Sequence, residues 1–409
     1  MAALLTGCSA AAAPGPSATA SAVAGDPVER ETPSGAPLVG SDGSVRPADP
    51  SASADGGSDG GSDGGSGDDE DQGDGDDEEQ DQDEDRDKED EVRRMEAPTT
   101  FPSWMTRPTP ESGLCPRPTV RVRDAEELQA ALDDAGPGTS ILLEPGTYDG
   151  EFVVRASGTA DRPAALCGPA DAVLDGDGWR AGYVLHLDGA QHWVLQGFTV
   201  RNGQKGLMAD GTVGTTISGL TVYGTGDEAI HLRKHSTDNR VVDNVISDTG
   251  HRRGKFGEGV YIGTATSNWE RITAGEPDRS DRNEVARNAV YATTSEAIDV
   301  KEGTSDGLVQ ANQLDGSGLT DADSWVDVKG NDWVVRDNVG RTSPLDGFQT
   351  HDVAEGWGTR NLFTGNRGTL DAAEGHLVAL RPVNENVVLC DNRLEGGGRS
   401  AGLSNAPCS

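Results

Sequence analysis

Large apolar side chains are missing from one long stretch near the start of the sequence. Between Arg46 and Glu91 there is no Val, Ile, Leu, Met, Phe, Tyr or Trp. Such a stretch cannot bury enough apolar surface to offset the entropy lost when a chain becomes ordered. The stretch is instead rich in Gly, Ser, Asp and Glu. We therefore predict a disordered acidic linker over residues 9–112 and one folded domain over residues 113–409.

Basic tracts and long apolar runs are also lacking. The 409 residues include 34 Lys and Arg against 70 Asp and Glu, a formal charge of −36. Binding to nucleic acid depends on neutralising phosphates with Lys and Arg, so we expect no nucleic-acid partner. A helix that spans a membrane needs about 20 apolar residues, and the sequence contains no run of that kind.

The first eight residues have the character of an export signal. Leu5-Thr6-Gly7-Cys8 resembles a bacterial lipobox, in which the cysteine is lipidated. Signals of this kind carry basic and apolar regions upstream, which residues 1–8 lack, so we expect the true start to lie further upstream. The prediction is an exported protein that touches a membrane only through a lipid at Cys8, on its outer face, or that is secreted.

Four further cysteines fall at the two ends of the predicted domain. Cys115 and Cys167 lie near its start, and Cys390 and Cys408 lie near its end. An exported domain with four cysteines is expected to form two disulfides, and sequence alone allows three pairings. We favour Cys115–Cys167 and Cys390–Cys408. No CxxC spacing occurs, which argues against a zinc site.

Short apolar segments recur through the domain at a regular interval. Segments such as WVLQG, EVARN, WVVRDN and VVLCDN each end in Gly or Asn. These residues follow one another after about 22–28 positions, apart from one longer interval that contains the polar segment 248–282. A repeat of this length built from short strands indicates a solenoid. We expect each Gly or Asn to sit at a tight bend with positive φ.

A second strand in each repeat aligns independently of the first. It reads GLMAD, AIHLRK, GVYIGT, AIDVKEG, WVDVKGN and GFQTHD in successive repeats. Alternation along a strand predicts an inward column. That column comprises Leu207, Ile230, Val260, Ile298, Val326 and Phe348. On these segments the domain resembles the right-handed parallel β-helix, or pectin-lyase-like, superfamily, over about residues 119–398. The resemblance implies an all-β solenoid, and we expect a monomer.

The beginning of the domain has the pattern of a helix followed by a first coil. The segment VRDAEELQAALDDAGPGTSILLEPGTY contains an apolar stripe with helical spacing. Its members are Ala125, Leu128, Ala131 and Leu132. A solenoid needs caps at its ends, because an open end exposes core and unpaired strand edges. We predict a short capping helix here.

The outward positions of the second strand carry most of the candidate functional residues. Because adjacent coils stack about 4.8 Å apart, these side chains form columns. We predict one charged patch that comprises Lys301, Lys329, Asp299, Asp327, Arg233, His231 and His351. A column of acids precedes the strands and comprises Glu228, Glu258, Glu296, Asp346 and Glu374. Equal charges stacked on neighbouring strands repel, which favours a functional role over a merely soluble surface.

The resemblance implies a chemistry for this patch. Polysaccharide lyases of the superfamily cleave uronic-acid polymers by β-elimination, with a Lys or Arg base and often with calcium. We therefore assign Lys301, Lys329 and Arg233 to catalysis, with Lys301 as the base. A like-charged neighbour lowers the pKa of a lysine, and we expect Lys329 to do so for Lys301. The predicted calcium ligands are Glu258, Glu296, Asp299 and Asp327.

Acidic polysaccharide is the predicted partner, and a basic loop would help to bind it. The predicted binding residues are His231, His351, Arg252, Arg253 and Lys255. Two alternatives remain open. The same fold supports glycoside hydrolases that use paired carboxylates, for which Asp299 and Asp327 qualify, and so do Glu296 and Asp346. A non-catalytic protein that binds glycans could instead use Trp269, Trp325, Trp333 and Trp357 to stack on sugars.

Overall fold

Three parallel β-sheets form the body of the protein in a computed structural model. The structure describes residues 98–180, 182–396 and 400–409. Cys8, the segment 1–8 and residues 9–97 of the predicted linker lie outside the described residues. Within the described residues the chain winds through the three sheets in turn, so that each coil adds one strand to each sheet. This is the predicted all-β parallel β-helix.

Sheet A has 11 strands, which pair in parallel along the solenoid. They are β1 (Val120–Val122), β2 (Ser140–Leu143), β5 (Ala164–Cys167), β8 (Trp193–Gln196), β11 (Thr216–Ser218), β14 (Arg240–Val242), β17 (Glu284–Ala286), β20 (Leu308–Gln310), β23 (Val334–Arg336), β26 (Leu362–Thr364) and β29 (Val387–Val388).

Sheet B has 10 strands in the same arrangement. They are β3 (Gly146–Asp149), β6 (Ala172–Asp175), β9 (Thr199–Arg201), β12 (Thr221–Tyr223), β15 (Val245–Ser247), β18 (Ala289–Tyr291), β21 (Gln313–Asp315), β24 (Val339–Arg341), β27 (Arg367–Thr369) and β30 (Arg393–Leu394).

Sheet C also has 10 strands, and it carries the predicted patch. They are β4 (Phe152–Val154), β7 (Tyr183–Asp188), β10 (Lys205–Asp210), β13 (Ile230–Arg233), β16 (Val260–Ile262), β19 (Ile298–Val300), β22 (Ser324–Val328), β25 (Asp346–His351), β28 (His376–Arg381) and β31 (Gly402–Ser404).

The predicted register of sheet C is confirmed. The inward column from Leu207 to Phe348 pairs strand by strand as expected, and its members are fully buried. The outward column is also in register, since His231 pairs with Tyr261 and Asp299 pairs with Asp327. Burial of the inward side chains fixes this register, because a slip of one residue would turn them toward solvent.

Stacked asparagines form a buried ladder where sheet A gives way to sheet B. The ladder comprises Asn244, Asn288, Asn312, Asn338, Asn366 and Asn392. From Asn288 onward, each side-chain carbonyl accepts the backbone N–H of the equivalent Asn in the preceding coil, as Asn312 does from Asn288 at 2.9 Å, and Asn244 accepts the Leu220 backbone N–H. The expected positive φ is confirmed at the two glycines of the series, Gly197 at 93° and Gly219 at 65°, but at the asparagines it belongs to the preceding residue, for example Asp243 at 60°. The asparagines are therefore selected for their amide groups, not for their backbone conformation.

Two helical segments accompany the sheets. Helix α1 (Ala125–Asp133) begins at Asp124, whose side chain accepts the Glu127 backbone N–H, and it buries Leu128 and Leu132. The interval of 44 residues is a single coil with insertions, as predicted. Its insertions contain short 3-10 turns at Gly254–Phe256 and Thr266–Asn268, and helix α2 (Trp269–Ile272).

Residues 98–112, which the sequence analysis placed in the linker, pack on the outer face of sheet B and then, at Glu111, contact Gln196 and Arg240 of sheet A. We call this segment the strap. Phe101 packs edge-on against Tyr291, and the Trp104 indole N–H donates to Asp315 at 2.6 Å. Met105 is buried in the same cluster. The folded part of the chain therefore includes residues before the predicted boundary at 113, because the strap carries apolar side chains that the acidic stretch lacks.

Both favoured disulfides are present. Cys115 is bonded to Cys167, and Cys390 is bonded to Cys408. The first joins the segment just after the strap to strand β5 of an early coil, and the second closes the C-terminal end. Among the described residues, no helix is both long and apolar enough to cross a membrane.

Candidate active site on sheet C

A network of salt bridges joins the charged side chains on the outer face of sheet C. The Lys329 ammonium lies 2.9 Å from Asp299 and 2.8 Å from Asp327. Lys301 lies 3.0 Å from the second oxygen of Asp299, and His351 Nδ1 lies 2.9 Å from Asp327. We call these five residues the central patch. The carboxylates are almost fully buried, whereas the lysine side chains remain 12–15 % exposed.

The two lysines of the central patch are held in their charged form. Burial alone would lower the pKa of Lys301, but Asp299 and other nearby carboxylates outweigh it and raise this pKa well above its usual value. The pKa of Lys329 is likewise raised by Asp299 and Asp327 against the effect of burial. The expected lowering of the Lys301 pKa by Lys329 was therefore wrong, because Asp299 lies between the two ammonium groups and binds both.

The acid and the imidazole of the patch also stabilise each other. Burial would raise the pKa of Asp327, but Lys329 and His351 hold it below its usual range. Asp327 in turn raises the pKa of His351 against burial. A carboxylate with a lowered pKa cannot serve as the protonated acid of a glycoside hydrolase near neutral pH. The Asp299–Asp327 pair thus gives little support to the hydrolase alternative.

Tyr261 is the residue of this surface that sequence reasoning did not assign. It lies in the outward column between His231 and Asp299. The Lys301 ammonium is 5.0 Å from the centre of its ring, and the imidazole of His231 packs edge-on against it with ring centres 4.4 Å apart. A hydroxyl-bearing aromatic in a column of charged residues was the signal that could have identified it.

A second, buried chain of polar groups supports His231. Its Nε2 lies 2.9 Å from the Gly263 carbonyl, and its Nδ1 lies 3.4 Å from Glu228. Glu228 is bound at 2.8 Å by Lys205. Burial lowers the pKa of His231, so the imidazole is neutral near neutral pH. This chain fixes the ring that packs against Tyr261.

Arg233 lies apart from the central patch. It is on β13, two strands from Lys301, where it donates to Asp210 at 2.8 Å and to the Tyr183 hydroxyl at 3.2 Å. His186 and Lys234 also contact Asp210, at 3.2 Å and 2.9 Å. Sheet C therefore carries two separate ionic clusters rather than the one continuous patch that was expected.

The basic loop before β16, residues 251–255, is attached to the rest of the domain by contacts of Arg252 and His251. Arg252 binds buried Asp227, with Nη2 2.5 Å from Oδ2, and His251 stacks on Trp179 with ring centres 4.5 Å apart. Arg253 and Lys255 are exposed beside Phe256. Arg252 thus holds the loop in place, and Arg253 and Lys255 point their charges toward solvent.

The tryptophans divide into two groups. Trp325 and Trp333 are fully buried in the core, so they are not available to stack on sugars. Trp269 and Trp357 are partly exposed, on the segments that follow β16 and β25. Arg279 lies over the Trp357 ring at 5.5 Å.

The acid column that precedes the strands is partly as predicted. Strand register places Glu228, Glu258 and Glu296 on successive coils. The next coil has Ser324 at this position, and Ser324 pairs with Asp346 as the column continues. The coil after that has His376 at this position, so Glu374 is not part of the column. Three of the four predicted calcium ligands, Glu258, Glu296 and Asp299, offer oxygens within 4.8 Å of one another. Asp327 is outside this group and binds Lys329 and His351.

These three carboxylates do not fit a calcium ion. Calcium takes six to eight oxygen ligands, and it needs carboxylates whose charge is free to balance its own. Both oxygens of Asp299 are already bound, one by Lys301 and one by Lys329. A divalent ion among these oxygens would lie next to two ammonium groups, and the resulting repulsion would oppose its binding.

Comparison with solved structures shows that the chain is similar to polysaccharide lyases. An alginate lyase from Paenibacillus sp. strain FPU-7 is 34% identical, with a TM-score of 0.65, over 70% of this chain and 100% of the lyase. The chain belongs to the same family as this alginate lyase. A pectate lyase, Pel9A, is 12% identical with a TM-score of 0.48, over 68% of this chain and 75% of its own. No family model and no curated protein matches the sequence.

Proposed function

We propose that the domain cleaves a uronic-acid polymer by β-elimination at the central patch and Tyr261, with alginate as the first substrate to test. The observation that carries the proposal is the placement of the cationic Lys301 beside Tyr261 on the outer face of sheet C, with a second cation, Lys329, bound to the same Asp299. The family relationship supports it, because the 34% identical relative is an alginate lyase.

The reaction makes three demands on its catalyst. The sugar carboxylate must be neutralised so that the neighbouring C5 proton becomes acidic. A base then removes that proton, its electron pair forms the C4–C5 double bond, and the C4–O bond breaks. The departing oxygen finally takes up a proton, so one new chain end is unsaturated and the other carries a hydroxyl.

Lys301 and Lys329 are suited to the first demand. Both carry a positive charge, and both keep part of their side chain exposed on the outer face. Fixed charges in a largely buried site stabilise developing negative charge without reorganisation. The electron density that moves onto the sugar carboxylate during elimination is negative charge of this kind.

Tyr261 is suited to the second and third demands. Its phenolate can take the C5 proton, and the phenol formed in this way can then give that proton to the departing oxygen, as general acid–base catalysis requires. Lys301, 5.0 Å from the ring, would stabilise the negative charge of a phenolate. In this scheme Lys301 stabilises the charge of the base and is not itself the base. Its ammonium group is kept protonated by the neighbouring Asp299.

We assign substrate binding to the groups around the patch. His351 is the partly exposed end of the salt-bridge network, and Arg253 and Lys255 lie on the loop that precedes β16. Arg233, with Asp210 and Lys234, would contact a sugar further along sheet C. Arg252 and His231 act by holding the loop and the Tyr261 ring.

The experiment is a cleavage assay of the full chain on a panel of polymers that includes alginate, polygalacturonate and a neutral glycan. Ultraviolet absorbance of an unsaturated product from a uronate polymer is the expected result. New reducing ends without this absorbance would show hydrolysis and overturn the proposal. Binding of the polymer without any cleavage would favour the non-catalytic alternative.

We further propose that the protein acts outside the cell. The two disulfides are typical of proteins that mature in an oxidising compartment. A lipid at Cys8 would hold the domain at the membrane surface through the acidic linker. Labelling cells with a radioactive fatty acid and comparing the wild type with Cys8→Ala tests this anchor, and equal labelling of both would refute it.

A further inference from the structure

A strained turn follows β13 and directs a lysine back onto sheet C. Lys234 and His235 are consecutive non-glycine residues with positive φ, at 54° and 65°. Residues other than glycine rarely adopt this backbone conformation, and it persists where the surrounding structure enforces it. The Lys234 ammonium lies 2.9 Å from Asp210 on β10, and the lysine side chain is 41% exposed. The turn therefore places an accessible positive charge beside the outer face of sheet C.

A buried carboxylate between helix α2 and β17 enforces this turn. It belongs to Asp278, which is fully buried. Its two oxygens accept the backbone N–H groups of Lys234 at 2.9 Å and of His235 at 2.8 Å. The hydroxyls of Thr264 and Ser280 donate to the same two oxygens at 2.7 Å and 2.8 Å. The polar segment that interrupts the repeat thus supplies the acceptor that holds both residues in their strained conformation.

Three basic side chains meet one acid in the cluster that this turn completes. The acid is Asp210, and the basic side chains are those of His186, Arg233 and Lys234, at 3.2, 2.8 and 2.9 Å. We call these four residues the Asp210 cluster. Burial would raise the pKa of Asp210, but its basic neighbours hold it well below its usual range, so the acid is ionised. Arg233 is almost fully buried, and Lys234 is the most exposed member of the cluster.

Two further acids near the Asp210 cluster have partners of their own. Asp188 lies opposite Asp210 on the neighbouring strand β7, and it is bound by Arg155 at 3.0 Å. Asp278 lies behind the turn, where four hydrogen bonds occupy its oxygens. The side of the cluster that faces solvent therefore presents Lys234 as a cation to an approaching anion.

The Asp210 cluster lies on the same face as the central patch, further along sheet C. Only β16 separates β13 from β19, so the turn lies two strand spacings, about 10 Å, from the coil of Lys301. A 4-linked pyranose in a polymer has a length similar to one strand spacing. We propose that Lys234 binds the carboxylate of the sugar two residues along from the one at Lys301, and that Asp278 is the positioning residue that holds Lys234 there. The proposal rests on the proposed function, which supplies a uronate polymer as the ligand.

The expected consequence is a gain in affinity at one defined chain length. Calorimetry measures the binding of uronate oligomers of increasing length to the full chain, which carries Tyr261→Phe to suppress cleavage. Affinity should rise about tenfold at the length that first spans both clusters, since a carboxylate gains a charged hydrogen bond there. Lys234→Gln should abolish this step without weakening the binding of shorter oligomers. Lys234→Arg should retain it, because the guanidinium keeps the positive charge.

Arg336→Gln is the matched control for the loss of one positive charge. Arg336 is exposed on sheet A and donates to Gln310 at 2.7 Å, so its removal leaves sheet C unchanged. Its series of affinities should match that of the parent protein. A step of equal size lost in this control would show a general effect of charge and would overturn the proposal.

Asp278→Asn tests the positioning role. The amide places an N–H group against one of the two backbone N–H groups of the turn, so the turn loses one acceptor. The affinity step should shrink in this variant, and adding Lys234→Gln should cause little further loss, because both changes act on the same ammonium group. A step of undiminished size in Asp278→Asn would remove Asp278 from this role.

The same titrations separate this inference from the proposed elimination. A step that persists in Lys234→Gln overturns the inference, whether or not the wild type cleaves the polymer. A step that depends on Lys234, in a protein whose wild type cleaves no uronate polymer, supports the inference and refutes the elimination. If no uronate oligomer binds, both are refuted.

Discussion

The ammonium group of Lys301 lies 5.0 Å from the centre of the Tyr261 ring, on the neighbouring strand of sheet C. Lys301 is the residue that the sequence analysis predicted as the base, and Tyr261 is a residue to which it assigned no role. Their contact gives the proposed elimination a proton-transfer group and a charge beside it.

Tyr261→Phe should separate the chemistry of the hydroxyl from the packing of the ring. The phenyl group can keep its contacts with His231 and Lys301, so thermal unfolding should stay close to that of the wild type. We expect kcat on a uronate polymer to fall by about 100-fold or more, since positioned acid–base groups contribute 10²–10⁴-fold. An unchanged kcat would remove Tyr261 from the mechanism.

Asp327→Asn should lower the pKa of His351. Asp327 is the largest cause of its raised pKa, and the amide offers no negative charge to the imidazolium. NMR titration of the histidine ring signals measures the change directly. A His351 titration curve that is the same in Asp327→Asn and in the wild type would contradict this assignment.

Glu296→Gln should change the dependence of stability on pH. In the wild type the pKa of Glu296 is raised from 4.5 to about 7, so the folded protein binds this proton more tightly than the unfolded chain. Its stabilisation is complete below pH 4.5 and is lost as the pH rises to about 7. Urea unfolding at a series of pH values should show a shallower decline in the variant over this window, and an identical decline would contradict the raised pKa.

Trp104→Ala tests the attachment of the strap. The variant loses the hydrogen bond to Asp315 and the contact with the Arg341 guanidinium, 4.8 Å from the ring. We expect the free energy of unfolding to fall by about 1–3 kcal/mol. Val353→Ala, at a position 48% exposed, should change it by less than about 0.5 kcal/mol. Equal effects in urea unfolding would show that the strap adds no stability.

Asn312→Ala tests the asparagine ladder. The amide of Asn312 accepts from the Asn288 backbone N–H and donates to the Val285 carbonyl, both at 2.9 Å. Removing it leaves buried backbone groups without partners, at about 1–3 kcal/mol each. A loss of about 3 kcal/mol in the free energy of unfolding is expected, and a loss below about 1 kcal/mol would show that water replaces the amide.

The sequence was sufficient for the architecture because the repeat imposes it. Alternation in GVYIGT and AIDVKEG determines which side chains face inward, and stacking then aligns Asp299 with Asp327. The residue with positive φ at each asparagine bend could not be predicted from the repeat alone. It is Asp243 and not Asn244, and the Asn244 side chain is instead hydrogen-bonded to backbone groups of the preceding coil. The strap was missed because composition averages conceal the few apolar residues, such as Trp104, near the end of an acidic segment.

The sequence predicted which residues of the central patch are neighbours, but not how their charges act on one another. Columns identified Lys301, Lys329, Asp299 and Asp327 as neighbours, but a column does not specify which oxygen each ammonium group binds. That detail reverses the expected effect of Lys329 on Lys301. Likewise, Glu258 lies in the insertion between β15 and β16, whose path the repeat does not define.

The strap determines where a mechanical load would enter the domain. Thr99 donates through its backbone N–H to Asp248 at 2.8 Å, and Trp104 binds Asp315 in a later coil. Tension on the preceding chain is therefore applied first at the middle of the solenoid, where several side-chain contacts share the force along the coils. The first coil, protected by the Cys115–Cys167 bond, would not be peeled open by that pull.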